Sequence, residues 1–141
     1  MQYDYFVASR WRNKETVLEL ARKIKEKGKS VYNFIEGDGT HYELKDTEEK
    51  LSPEEFMKHF ESRDQHDSQI REIFEVDMNA LKASQQVILL FPAGKSAHIE
   101  AGVAYGMGKK CILIGEQKEA ESLYLIFDKT YPTIDDFIAS L

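Results

Sequence analysis

The chain has 141 residues, 42% hydrophobic and 31% charged, which is the composition of one globular domain large enough to bury a single core. Its apolar runs are all shorter than the roughly 20 residues of a membrane span, and its first residues lack the pattern of a signal peptide. We therefore expect a cytoplasmic protein with no membrane partner. The net charge of -6, without a basic cluster interleaved with aromatic residues, argues against a nucleic-acid polymer as a partner.

Apolar and amphipathic segments alternate in the first part of the chain. The pattern predicts a strand at Tyr3 to Ala8, a helix from about Trp11 to Lys27 and a short strand at Val31 to Ile35. Residues 36–66, rich in charged side chains, interrupt this rhythm. Within them Ser52-Pro53-Glu54-Glu55 is a capping box with proline at the first helical position, and it predicts a short helix. We interpret residues 36–66 as a partly ordered flap inserted after the second strand.

The alternation continues to the end of the chain. Predicted in order are a helix from about Asp67 to Ala83, a buried strand at Gln86 to Phe91, a helix that carries Glu100, a strand at Cys111 to Ile114, a helical segment near Glu119 to Phe127 and a last helix from Thr133. Such alternation is typical of an α/β protein with a doubly wound parallel sheet. We predict one domain over residues 1–141, with five parallel strands in the flavodoxin-like order 2-1-3-4-5.

The segment after the third strand carries the strongest candidate for chemistry. Gly94 follows that strand, Ser96 is a possible N-cap, and Glu100 falls near the start of a helix of small residues. Ligands of open α/β sheets bind beyond the carboxyl ends of the strands, at helix N-termini. An acid in a first helical turn can also do no more than offset the helix dipole. Gly102, inside the helix, costs about 1 kcal/mol against alanine, which suggests either close packing on the sheet or room for a ligand.

Asp77 is the second candidate, because it falls on the apolar stripe of its own predicted helix. It lies seven residues after Ile70, four after Ile73 and four before Leu81. A carboxylate there must be hydrogen-bonded, neutralised or turned towards a polar cavity. One interpretation is a structural aspartate bonded to backbone amides or a tyrosine hydroxyl. The other is a cavity acid opposite Glu100, since two carboxyl groups in different environments acquire different pKa values, as acid/base or nucleophilic chemistry requires.

Three elements in this order resemble the nucleoside 2-deoxyribosyltransferase family, including its 2'-deoxynucleoside 5'-phosphate N-hydrolase branch. They are Tyr5-Phe6-Val7-Ala8, Asp77-Met78-Asn79-Ala80-Leu81 and Glu100-Ala101-Gly102-Val103-Ala104. The resemblance spans nearly the whole chain apart from residues 36–66.

The resemblance implies cleavage or transfer at the N-glycosidic bond of a nucleoside or nucleotide, with no cofactor. Glu100 would be the nucleophile on C1', Asp77 would bind the sugar and assist leaving-group protonation, and Tyr5 would orient the glutamate. Retention through a glycosyl-enzyme follows by analogy with retaining glycosidases. Members of the family complete each active site with a neighbouring subunit, which here implies a homodimer or larger, with Ser122 in the matching region.

The chain also departs from the family pattern, which leaves hydrolase and transferase, and nucleoside and nucleotide, as open alternatives. The first strand continues into Ala8-Ser9-Arg10-Trp11 instead of an Ala-Gly-Pro turn, and Gly94-Lys95-Ser96 replaces an acidic loop. Gly94, Lys95 and Ser96 offer a flexible backbone, a cation and a hydroxyl at a helix N-terminus, which suits a 5'-phosphate. A solvated lysine beside a helix cap is the structural alternative.

Two further residues are candidates for substrate binding. His98 lies two residues from Glu100, and Trp11 lies just past the first strand, where its ring could stack on a base. The histidines show no pair at metal-ligand spacing, so we expect no metal. The rival function is a non-catalytic nucleotide-binding or sensor module that uses the same crevice.

Overall fold

The protein, described by a computed structural model over residues 2–37 and 52–141, folds into one sheet with helices on both faces. Its strands are β1 (Tyr3–Ala8), β2 (Val31–Asn33), β3 (Ser84–Leu90), β4 (Lys110–Ile114) and β5 (Phe127–Tyr131). Its helices are α1 (Lys14–Glu26), α2 (Pro53–Glu61), α3 (Ser68–Lys82), α4 (Lys95–Gly106) and α5 (Ile134–Ala139), with 3₁₀ turns at Trp11–Asn13 and Ser122–Ile126.

The sheet is parallel throughout, with the strand order β2-β1-β3-β4-β5. This confirms the predicted doubly wound, flavodoxin-like α/β fold. The sequence analysis predicted five strands but did not locate the fifth, β5. Only Phe127 of β5 is buried, and Asp128, Lys129 and Thr130 are exposed at the sheet edge. An edge strand without an apolar run gives little signal in the sequence.

The two faces of the sheet have separate cores. On one face, α3 and α4 pack against the sheet through Phe6, Ala8 and other buried residues. On the other, α1 and α5 cover Tyr5 and Val7. Alternate residues of a strand point to opposite faces, so this division follows from the pleat of β1.

The segment around α2 is described only from residue 52 onwards, and residues 38–51 of the predicted flap lie outside the described residues. The capping box is confirmed, because Ser52 Oγ accepts a hydrogen bond from the Glu55 amide at 3.2 Å. Arg12 forms ion pairs with Glu54 and Glu61, which hold α2 against the first 3₁₀ turn. In the described part of the chain, no helix has the length and apolarity needed to cross a bilayer.

Candidate active site

The site lies beyond the carboxyl end of β3, where α4 begins. Gly94 is the N-cap of α4 and Lys95 is its first residue, so the predicted N-cap, Ser96, lies inside the helix. Because Gly94 has no side chain, the amides of the first turn have no side-chain cap and can bind an anion. Gly94 also lies beside Arg10, whose Cβ is 3.8 Å from the position of a Cβ built on the glycine. Arg10, Lys95 and Ser96 are all exposed.

Glu100 is two residues further into α4 than the sequence analysis implied, because the N-cap is Gly94 and not Ser96. The helix begins at Lys95, so Glu100 belongs to the second turn, and the first turn holds no acidic residue. The effect of the helix dipole on a carboxylate falls off beyond the first turn. Offsetting the dipole is therefore a poor explanation for Glu100, which is partly buried.

The pKa of Glu100 is well above the ordinary value of a glutamate. Burial raises its pKa to about 8, and the nearby charge of Asp77 adds to the rise. Both causes disfavour the carboxylate, so Glu100 is mostly protonated at neutral pH in the free protein. The two carboxyl groups are therefore close enough for the charge of Asp77 to act on Glu100.

Asp77 has a tyrosine hydroxyl as a hydrogen-bond partner, which is the kind of partner that the structural interpretation named without specifying the residue. The hydroxyl of Tyr32, on β2, donates to Asp77 Oδ1 at 2.7 Å. Tyr32 is only 1% exposed, and Asp77 is partly buried. The apolar stripe of α3 was predicted to include Phe74 as well, but Phe74 is 51% exposed, so the buried stripe is narrower than predicted. The sequence did show a tyrosine, Tyr32, in the strand next to β1. Nothing in the sequence indicated that its hydroxyl would contact Asp77.

His98 connects the start of α4 to the second 3₁₀ turn. Its Nδ1 lies 2.7 Å from the carbonyl oxygen of Gly94, and its Nε2 lies 2.8 Å from the hydroxyl of Tyr124. A carbonyl only accepts, so Nδ1 carries a proton, and in the neutral ring Nε2 accepts from Tyr124. Tyr124 therefore helps to hold the loop that precedes Glu100.

Phe91 packs against His98 and Tyr124. Its ring centroid lies 6.0 Å from that of His98 and 6.1 Å from that of Tyr124. The room for Phe91 is provided by Gly115, which has a φ of 125° and whose added Cβ would lie 2.6 Å from Phe91 Cβ. A side chain at position 115 would strain the backbone and displace Phe91.

Ser9 fixes the ends of β1 and β3 relative to one another. Its buried hydroxyl donates to the carbonyl of Leu90 at 2.9 Å and accepts from Asn13 Nδ2 at 3.1 Å. The Ser9 of this chain, where the resembled family has glycine, is thus part of the scaffold at the rim of the crevice.

The structure does not bring the other predicted site residues to the two carboxyl groups. Tyr5 lies on the opposite face of the sheet, with its ring edge-on to Phe137 at 5.6 Å, because the strand pleat separates it from α4. Its position does not support the role of orienting Glu100. Trp11 packs beside Phe34 and Lys14, towards β2. Ser122 is exposed at the start of the second 3₁₀ turn.

A surface depression with a volume of about 480 Å³ lies elsewhere, on the outer side of α1. Its walls hold ion pairs between Arg22 and Glu26 and between Lys25 and Glu36, so its charges neutralise one another. Perturbed pKa values are more typical of a functional site than the volume of a depression, so the pair of carboxyl groups is the candidate site. Among the described residues, no three His, Cys, Asp or Glu side chains are grouped so as to hold a metal ion.

Several solved structures have a similar fold, and two of them are described here. A 2-deoxyribosyltransferase from the psychrotolerant bacterium Bacillus psychrosaccharolyticus has a TM-score of 0.66 and 14% identity, over 95% of this chain and 89% of that one. A CMP N-glycosidase from Clostridium botulinum has a TM-score of 0.57 and 20% identity, over 96% of both chains. Neither a family model nor a curated protein matches the sequence. At these identities the similarity establishes the fold.

Proposed function

We propose that this protein cleaves or transfers the N-glycosidic bond of a nucleoside or nucleoside 5'-monophosphate. The observation that carries the proposal is the pair of carboxyl groups, Glu100 and Asp77, on adjacent helices beside the carboxyl end of β3, one of them with a raised pKa. The similarity of the whole fold to a deoxyribosyltransferase and a CMP N-glycosidase supports the same chemistry.

In this mechanism Glu100 and Asp77 together hold one proton. The reaction needs one proton, which goes to the leaving base. Glu100 attacks C1' as a carboxylate, its proton passing to Asp77, and the bond from C1' to the base nitrogen breaks as Asp77 protonates the leaving base. The ester between Glu100 and the sugar is then displaced at C1' by water, which gives hydrolysis, or by a second base, which gives transfer. In either case Asp77, now a carboxylate, accepts the proton of the attacking group, and Glu100 leaves as a carboxylate. Two displacements at C1' retain its configuration.

The experiment that tests the function is incubation of the purified protein with ribo- and deoxyribonucleosides and their 5'-monophosphates. Released base is measured by chromatography, with and without a second base as acceptor. Base release supports the proposal, and exchange of bases selects the transferase. Saturable binding of the same compounds without any base release would support the non-catalytic sensor instead.

We further propose that the start of α4 binds the 5'-phosphate. Lys95 is the first residue of α4, and Arg10 adjoins the N-cap, so two exposed cations flank uncapped amides. Lys95→Ala is expected to weaken binding of the monophosphate by about 1.5 to 3 kcal/mol, the range for a charge-assisted hydrogen bond, and to leave nucleoside binding nearly unchanged. Calorimetric titration with each ligand measures both values.

The matched control is Lys110→Ala, which removes an exposed lysine at the other end of the sheet. It is expected to change neither affinity. Equal losses on nucleoside and monophosphate after Lys95→Ala, or no loss on either, would show that this loop does not recognise phosphate.

We also propose that the protein works as a homodimer or larger assembly of identical chains. Ile99, Leu123 and Leu125 are 65%, 73% and 89% exposed, and the hydrogen bond between His98 and Tyr124 brings the segments that carry them together. Gly102, on the outer side of α4, has no atom within 4 Å of an added Cβ, so packing on the sheet does not account for it. A second copy of the chain can approach closely there.

Light scattering is expected to give a mass at least twice that of the 16.3 kDa chain. Leu125→Glu places a charge in the apolar contact and is expected to shift the mass towards the monomer, with a loss of base release. A monomer that keeps full activity at every protein concentration would contradict the assembly.

A further inference from the structure

Tyr32 is held rigidly beneath the pair of carboxyl groups. Its ring stacks on Phe6, with centroids 5.2 Å apart and planes 21° apart, and it lies tilted against Tyr3 at 5.6 Å. The side chain is 1% exposed, so the hydroxyl cannot be replaced by water without disrupting the core. A buried ring fixed in this way aims its O–H at Asp77 Oδ1, 2.7 Å away.

We propose that Tyr32 is a positioning residue that fixes the carboxylate of Asp77 and thereby places the single proton of the pair on Glu100 in the free protein. A hydrogen bond donated to a carboxylate stabilises its ionised form. Once Asp77 is ionised, its charge disfavours a second charge at Glu100, whose pKa burial also raises. Tyr32 thus acts through Asp77 and touches neither Glu100 nor the sugar in the mechanism.

In the described part of the chain, groups near Asp77 come from three packed elements. Tyr32 faces it from β2, Glu100 from α4, and Tyr3 lies in the same core cluster on β1. The neighbouring strand β3, with the sequence Ser-Gln-Gln-Val-Ile-Leu-Leu, contributes no ionisable side chain. The hydrogen bond from Tyr32 to Asp77 is an interaction that one substitution removes, so its effect on the protonation of the pair can be measured.

The test is carbon-13 titration of the Asp77 and Glu100 carboxyl signals, assigned with Asp77→Asn and Glu100→Gln. In the wild type, Asp77 is expected to titrate below Glu100. Tyr32→Phe removes the donated hydrogen bond and is expected to move the Asp77 midpoint upwards by about one pH unit. Tyr131→Phe, a tyrosine packed against Phe137 on the other face of the sheet, is the matched control and is expected to change neither midpoint.

An unmoved Asp77 midpoint in Tyr32→Phe would overturn the inference, and so would a wild type in which Glu100 titrates below Asp77. If Tyr32→Phe loses cooperative unfolding, a wild type in which Glu100 titrates below Asp77 still overturns the inference.

The role of Tyr32 in catalysis rests on the proposed function, and an activity measurement provides a second test of it. In Tyr32→Phe the acid limb of the pH profile of kcat/KM is expected to move upwards by the same amount as the Asp77 midpoint, because the doubly protonated pair becomes easier to form. The basic limb is expected to stay in place. The titration needs no turnover, so a protein that releases no base would refute the proposed function while leaving the role of Tyr32 to be decided by the titration.

Discussion

Glu100→Gln is expected to abolish base release while preserving the fold and ligand binding. Gln has nearly the shape of the protonated glutamic acid that occupies this site at neutral pH, but it cannot form the ester with C1'. We expect kcat to fall by at least about a thousandfold, as for other enzymes that lose a nucleophile. Slow substrates are expected to leave a covalent mass adduct on the wild type alone.

The matched control is Glu26→Gln, which alters an exposed glutamate of α1 in an ion pair with Arg22. Its turnover is expected to equal that of the wild type. Unchanged turnover in Glu100→Gln would exclude Glu100 as the nucleophile.

The same variant tests the raised pKa of Glu100 through stability. The unfolded chain releases this proton near pH 4.5, whereas the folded protein keeps it until about pH 8. Between these values the unfolded state binds fewer protons, so stability contributed by Glu100 falls as the pH rises, by roughly 2 to 4 kcal/mol in total after allowing for partial exposure. The melting temperature of Glu100→Gln is therefore expected to match that of the wild type at pH 4 and to exceed it at pH 9.

Asp77→Asn is expected to reduce turnover by about 10² to 10⁴, the range for removal of a general acid. The change keeps an oxygen that can accept from the hydroxyl of Tyr32, so the melting temperature is expected to move little. The pKa of Glu100 is expected to fall, because one of its two causes is lost, but to stay above the ordinary value, because burial is the larger cause. Base release, thermal melting and carboxyl titration measure the three effects.

Glu75→Gln, on the exposed side of α3, serves as the control for Asp77→Asn, since Glu75 forms a surface ion pair with Arg71. A collapse of the melting temperature with normal activity per folded molecule would assign Asp77 a structural role.

The fold was predictable because its signals are local. The buried strands of the sheet read as apolar runs, and the helices begin at caps such as Thr133, whose hydroxyl accepts from the Asp136 amide. The sequence analysis did not locate β5, because its side chains are mostly exposed and it therefore has no apolar run.

The sequence by itself determined the doubly wound sheet, the helix that carries Glu100 and the presence of an acid on the core side of α3. Strand periodicity and helix caps depend on residues close together in the chain. They can therefore be recognised without knowing which elements pack against each other. The tertiary structure alone decided that Tyr32 bonds Asp77, that Tyr124 bonds His98 and that Tyr5 turns to the other face. Those contacts join residues distant in the chain or depend on which face a strand presents, and only the packing of the sheet fixes them.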